Sequence, residues 1–172
     1  LVAMKLDDVR SVHLTHILTR TAFVNSQNWS KVAKGIHMDV KRVAEALNAL
    51  MAPSGDRVIR LRALWAQQVC GLLDSDALYS YLSDADSFVR GWAIHFLAED
   101  ESELDTETLN GLIALAESDP SADARRYLSA ALQRLPLAQR WSLAEALASR
   151  AEDIKDNNLP LMVWYGVEPL VE

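Results

Sequence analysis

The residues with the most chemistry to offer are few and scattered. His13 and His16 stand three apart on an expected helix, close enough to share a face, and a histidine pair is half of a zinc site. No third ligand lies nearby, so the pair reads as solvated or packing histidines, as does the lone His37. The run Glu99, Asp100, Glu101, Glu103, Asp105 and Glu107 has the hard oxygen donors that calcium takes, but neither the ordered spacing nor the turn glycine of an EF-hand loop. It reads as a solvated loop between helices. Cys70 is the single cysteine and has no histidine close in sequence, so it reads as a buried, inert thiol rather than a nucleophile. The six glycines form no phosphate loop, dinucleotide fingerprint or G-x-S-x-G elbow. Asn28-Trp29-Ser30 fits the glycosylation triplet, a pattern common by chance.

Three arginines are more informative because they recur. Arg60, Arg90, Arg125 and then Pro160 hold the same place in "VIRLRALWA", "FVRGWAIHF", "DARRYLSAA" and "NLPLMVWYG", at spacings of 30, 35 and 35 residues. An earlier copy, "DVRSVHLTH", has Arg10 in that place, with residues 21–40 as an insertion. Asp56 and Asp86 each precede their arginine by four residues and Asp123 precedes Arg125 by two. These acids are expected to reach an Arg one turn on or in the next repeat, which makes the row a stacking ladder or, less simply, an anion-binding row.

The elements that carry these residues are helices. Val89, Trp92, Ala93, Phe96 and Leu97 recur at helical spacing, and three more stripes follow. They are Leu109, Leu112, Ile113 and Ala116; Ala124, Tyr127, Leu128, Ala131, Leu132 and Leu135; and Leu143, Ala144, Leu147, Ala148 and Ala151. His95 lies off the first stripe, at the surface or between repeats. Polar breaks at 83–87, 99–107, 117–123 and 152–158 separate the stripes, with Ser87, Thr106, Ser121 and Asn157 or Asn158 as expected N-caps. Two helices per period in the thirties predict an all-α chain, an α-solenoid of HEAT-like repeats with about four helix pairs, the last incomplete. At 172 residues the chain fits one domain, with a divergent part at 1–55, clear repeats over 56–156 and the start of a further repeat at 157–172.

Composition narrows the partners. A formal charge of -7 argues against a surface built to hold polyanions. No apolar run approaches the 18 or so residues that cross a bilayer, and the first residues lack the charged start of a signal peptide. The chain is therefore expected to be cytoplasmic or to come from a longer exported protein.

The strings "RVIRLRALWAQQVCGLLD", "SFVRGWAIHFLAED", "LQRLPLAQRWSLAEALASRAED" and above all "NNLPLMVWYGVEPLV" resemble the HEAT-repeat region of large bacterial proteins described as membrane-bound dehydrogenases with a PVC-type cytochrome c domain. The likeness covers roughly residues 56–172. It implies a scaffolding segment of an exported parent, periplasmic or membrane-associated. The family's redox activities do not transfer, because Cys70 is followed by "GLLD" and not by the C-x-x-C-H of covalent haem.

The function expected is thus a non-catalytic scaffold or protein-interaction segment, needing no cofactor or metal. Its partner is protein: other domains of the parent, a separate chain, or a second copy through the C-terminal edge. The residues expected to bind protein or to join repeats are Arg60, Arg90, Arg125, Trp141, Trp164 and Tyr165. The alternative is a nucleic-acid enzyme similar to the HEAT-like alkylpurine DNA glycosylases, where Trp, Arg and Asp line a groove; the acidity opposes it. The uncharged stretch from Asn157 to Val167 is expected to pack on the 122–151 pair, capped by an asparagine with Pro160 in its first turn, and to leave apolar surface exposed.

Overall fold

The computed structural model describes residues 40–99 and 103–171. The readings placed on Arg10, His13, His16, Trp29, His37 and the 21–40 insertion lie outside them. Among the described residues the chain is all-α, with no strand. It divides into two compact units at Asp74/Ser75.

The first unit pairs α1 (Val40–Leu50) with α2 (Arg57–Val69). Asp56 caps α2, its carboxylate accepting from the amides of Val58 and Ile59 at 2.9 and 3.2 Å. The side-chain amide of Gln67 crosses to Asn48 at 2.6 Å. Gly71 ends α2 with φ 65°, and Leu72 N donates to Gln67 O, so the last carbonyls are satisfied by a left-handed turn that suits glycine. Leu47, Met51, Ala63, Leu64 and Cys70 are buried.

The second unit runs α3 (Ser75–Tyr81), α4 (Ser87–Leu97), α5 (Thr106–Ser118), α6 (Ala122–Leu132), α7 (Leu137–Ala148), a 3-10 turn (Ala151–Lys155), α8 (Leu159–Val167) and a 3-10 turn (Glu168–Leu170). Alternate helices are neighbours: α4 packs on α6 and α6 on α8, while α5 packs on α7. Two layers result, and the core lies between them. Val89, Ala93, Leu112, Ala116, Ala124, Leu128, Leu132 and Leu143 are fully buried, as their stripes predict. The stripes also need correction. Ile94 and Ala146 are buried off the expected faces, Ala148 and Ala151 are exposed, and Trp92, Phe96 and Tyr127 are half-buried. No stripe marks the short α3, which packs on α4.

The expected caps shift by one or two residues. Ser87 and Thr106 are the first residues of α4 and α5, and the caps are Asp86 and Asp105, accepting from Phe88 N and Thr108 N. Ser121 caps α6 as expected. At α8 neither asparagine side chain caps; Asp156 accepts from the amides of Asn158 and Leu159 at 2.8 and 3.0 Å. An ionised carboxylate holds a helix start more strongly than a hydroxyl or an amide, because it also meets the positive end of the helix dipole.

Two glycines set the spacing of the first layer. A Cβ on Gly91 would lie 2.3 Å from Cδ2 of Tyr127, and one on Gly166 would lie 2.6 Å from Cβ of Leu132. Both mark close approach of successive helices. Gly91→Ala gains about 1 kcal/mol of helix propensity and forfeits about 1–3 kcal/mol to overpacking. A net loss in urea unfolding is the expected outcome. In a Tyr127→Ala background the same change is expected to stabilise, and equal effects in both backgrounds would show that the ring is not what excludes a methyl group.

Candidate functional site

The three recurrent arginines are interior groups. Arg90 Nε and Nη2 grip the Asp119 carboxylate at 2.7 Å each, and its Nη1 donates to Asp84 O at 2.7 Å and Ala85 O at 3.2 Å. Arg125 repeats the arrangement one pair later: Nε and Nη2 bond both oxygens of Asp153 at 2.5 Å, and Nη1 donates to Asp119 O at 2.7 Å. Asp119 therefore joins the two rungs, carboxylate to one arginine and carbonyl to the next. Its side chain is 1 % exposed. The same carbonyl accepts from Arg150 Nη2 at 3.1 Å, while Arg150 Nη1 donates to Glu117 O. Arg60, in the first unit, is also buried and donates from Nε to Met51 O at 3.3 Å.

The ladder thus exists between Arg90 and Arg125, but not with the acids expected from the sequence. Asp56 and Asp86 serve as caps, and Asp123 forms a half-exposed pair with Arg126. The true partners follow their arginines by 29 and 28 residues, at the far end of the helix pair. A signal for them exists: Asp84, Asp119 and Asp153 recur at intervals of 35 and 34 residues, the same period as the arginines. Asp119 has a local reason for its place. Pro120 disfavours helical backbone in the residue before it, so Asp119 is extended (ψ 125°) and ends α5, turning its carboxylate towards α4.

The aromatic candidates are at the surface. Trp141 on α7 is 59 % exposed, and Trp164 and Tyr165 on α8 are 50 and 54 % exposed. Their helices adjoin: Arg140 Nη1 donates to Gly166 O at 3.1 Å, while its Nε and Nη2 hold Leu135 O and Gln133 O. Leu137 and Leu161 are similarly exposed. The segment 159–167 is therefore a helix that buries Leu159 and Gly166 and exposes Leu161, Trp164 and Tyr165. Pro169 lies in the 3-10 turn Glu168–Leu170 behind it.

A second aromatic group was not anticipated as a cluster. Trp92 meets His95 edge-on at 5.1 Å, Phe96 at 5.4 Å and Tyr127 at 6.0 Å. Burial pushes the His95 pKa below 6.5, and Arg134 adds to this against the opposing charge of Glu99. The Cys70 thiol is pushed up to about 11 by burial, far from a reactive thiolate at neutral pH. Among the described residues no three His, Cys, Asp or Glu side chains gather as metal ligands, and no helix is long and apolar enough to cross a membrane.

Carboxylates at the helix junctions titrate low. Asp156 falls from 3.8 to about 2, held by the amides of Asn158 and Leu159 and by Arg126. Asp105 is lowered by Thr108, and Glu152 by its own amide and Arg150.

Comparison with family models, curated proteins and solved structures returns no match.

Asp119→Ala strands the buried Arg90 guanidinium and is expected to cost about 3–5 kcal/mol, of which Arg90→Met in the same chain restores a large part. A single-variant loss below about 1 kcal/mol in urea unfolding would count against the ladder. The pH dependence follows from the signs. His95 has its folded pKa lowered, so its contribution is complete above 6.5 and is lost as pH falls through the lower folded value. Asp156 contributes above 3.8 and loses that contribution as pH falls through about 2. Unfolding followed from neutral to acid pH is expected to show two successive losses, the first absent in His95→Gln and the second reduced in Asp156→Asn.

Proposed function

We propose that the chain is a non-catalytic α-solenoid of HEAT-like helical pairs that binds or spaces other protein domains. The observation that carries this reading is the ladder: the same Arg–Asp contact is made twice, one helix pair apart, between helices that stack in two alternating layers. Nearest-neighbour stacking of one repeated unit has this form. In the same reading the described part of the second unit comprises the short α3, the pairs α4/α5 and α6/α7 and a further first helix, α8. Solenoids offer extended surfaces to protein partners, and Trp141, Trp164 and Tyr165 are the aromatic anchors that such a surface needs.

The competing nucleic-acid enzyme asks for free guanidinium groups along a groove. Arg90, Arg125, Arg140 and Arg150 instead spend their N–H groups on carboxylates and carbonyls of the chain itself. Partners that are protein and not nucleic acid fit both this and the charge of -7.

Two measurements test the reading. Crosslinking of the intact chain in an extract of its source cells, read by mass spectrometry, is expected to join lysine- or acid-bearing positions of the second unit to another protein domain. A chain that crosslinks to none would count heavily against it. Titration with duplex DNA at low salt is expected to give no salt-dependent binding, and binding that weakens with added salt would favour the nucleic-acid alternative.

A further inference from the structure

The backbone carbonyl of Asp119 receives two guanidinium groups. Arg125 Nη1 approaches its oxygen at 2.7 Å and Arg150 Nη2 at 3.1 Å. Charged N–H groups at that range are what an oxyanion hole offers to an acyl carbon under attack. The bond to which this carbonyl belongs is Asp119–Pro120, and its two sides differ in access: Asp119 is buried and Pro120 is exposed. Proline supplies a tertiary amide nitrogen, more basic than an ordinary peptide nitrogen, and here solvent can bring it the proton with which it departs.

A nucleophile stands beside the same bond. Asp119 Oδ1 accepts from Ser121 N at 2.8 Å, and the turn closed by that hydrogen bond encloses the Asp119–Pro120 peptide. The carboxylate is thereby kept next to the carbonyl carbon of its own residue, with the high effective concentration of an intramolecular group. Arg90 holds it back. Its Nη2 grips Oδ1 and its Nε grips Oδ2, at 2.7 Å each, so both oxygens are engaged and the side chain is not free to turn onto the carbon. The carbonyl is set for attack while the attacking group is restrained.

We propose that Asp119–Pro120 is a self-cleavage site that the Arg90 rung keeps shut. It goes beyond the scaffold reading and does not depend on it, since a single cut in each chain is not turnover. When Arg90 withdraws, a carboxylate oxygen of Asp119 adds to its own carbonyl carbon, and the charge that develops on the carbonyl oxygen falls between Arg125 and Arg150. Collapse breaks the C–N bond. Its electron pair goes to the Pro120 nitrogen, which takes a proton from solvent and leaves as a secondary amine. The other product is the cyclic anhydride of Asp119, which water opens to two carboxylates. The net change is hydrolysis of the bond between α5 and α6, with Asp119 as a new C-terminus and Pro120 as a new N-terminus.

Intact-mass spectrometry of the full chain during incubation at about pH 5, between the ordinary aspartate and histidine values, tests it. The folded, unaltered chain is expected to stay whole. Arg90→Met is expected to release fragments 1–119 and 120–172 at least about tenfold faster than the unaltered chain unfolded in urea, whose carboxylate is equally free but whose carbonyl has no fixed donors. Adding Arg150→Met to Arg90→Met removes one donor and is expected to slow the cut at least about tenfold. Should Arg90→Met fail to fold by circular dichroism, Arg90→Lys, which keeps a cation but cannot hold both oxygens, takes its place in the same comparison. A folded Arg90 variant that stays whole, that cleaves no faster than the unfolded chain, that is indifferent to Arg150→Met or that is cut elsewhere overturns the proposal. An unaltered folded chain cut as fast as the variant overturns it as well.

Discussion

A buried guanidinium is tolerable only if something answers its charge, and in the second unit the answer passes through Asp119. Its carboxylate neutralises Arg90, its carbonyl receives Arg125 and Arg150, and one carboxylate oxygen also receives the amide of Ser121. Three segments thereby converge on one residue: α4, α6 with its N-cap, and the turn after α7. Burying such a group costs several kcal/mol before any pairing, so each segment must be in place for the others to be stable. Apolar packing alone would allow neighbouring helices to slide, because Leu and Ala surfaces fit in several registers. The fork of a guanidinium on a carboxylate fits in one.

Much of this was legible in the sequence and some of it was not. Helix type and order follow from stripes such as Ala124, Leu128, Ala131 and Leu132, since burial on one face leaves a mark every three or four residues. The arginines were visible because they recur. Their partners were harder to find because Arg90 and Asp119 lie 29 residues apart and meet only after α5 has turned the chain back. Local reasoning favours the nearest acid, and the nearest acids, Asp56 and Asp86, already serve the helix starts. The misplaced caps have a related cause. In Asp86-Ser87 and Asp105-Thr106 two capable residues adjoin, and the carboxylate takes the cap while the hydroxyl residue enters the helix.

Of the six residues singled out as interaction sites, the sequence pattern did not separate the two kinds. Arg60, Arg90 and Arg125 turn inward, and Trp141, Trp164 and Tyr165 turn outward. The guanidinium groups of Arg90 and Arg125 are tolerated inside because Asp119 and Asp153 answer their charge, while the three aromatics stand half-exposed on α7 and α8. The Trp92, His95, Phe96 and Tyr127 cluster was missed as a group because its members come from two helices and touch only through the close approach that Gly91 permits.

Pro160 marks a change in how the helices depend on one another. From α4 to α7 any local opening exposes an unpaired charge next door, so the segments are bound to melt together as one cooperative block. Beyond Pro160 the ties are an Arg140 bond to a carbonyl, an Asp156 cap and the seat of Gly166 on Leu132. None of these strands a buried ion when it breaks. Opening helix α8 would therefore leave no buried ion unpaired, and the face that is most apolar is also the one whose detachment is electrostatically cheapest.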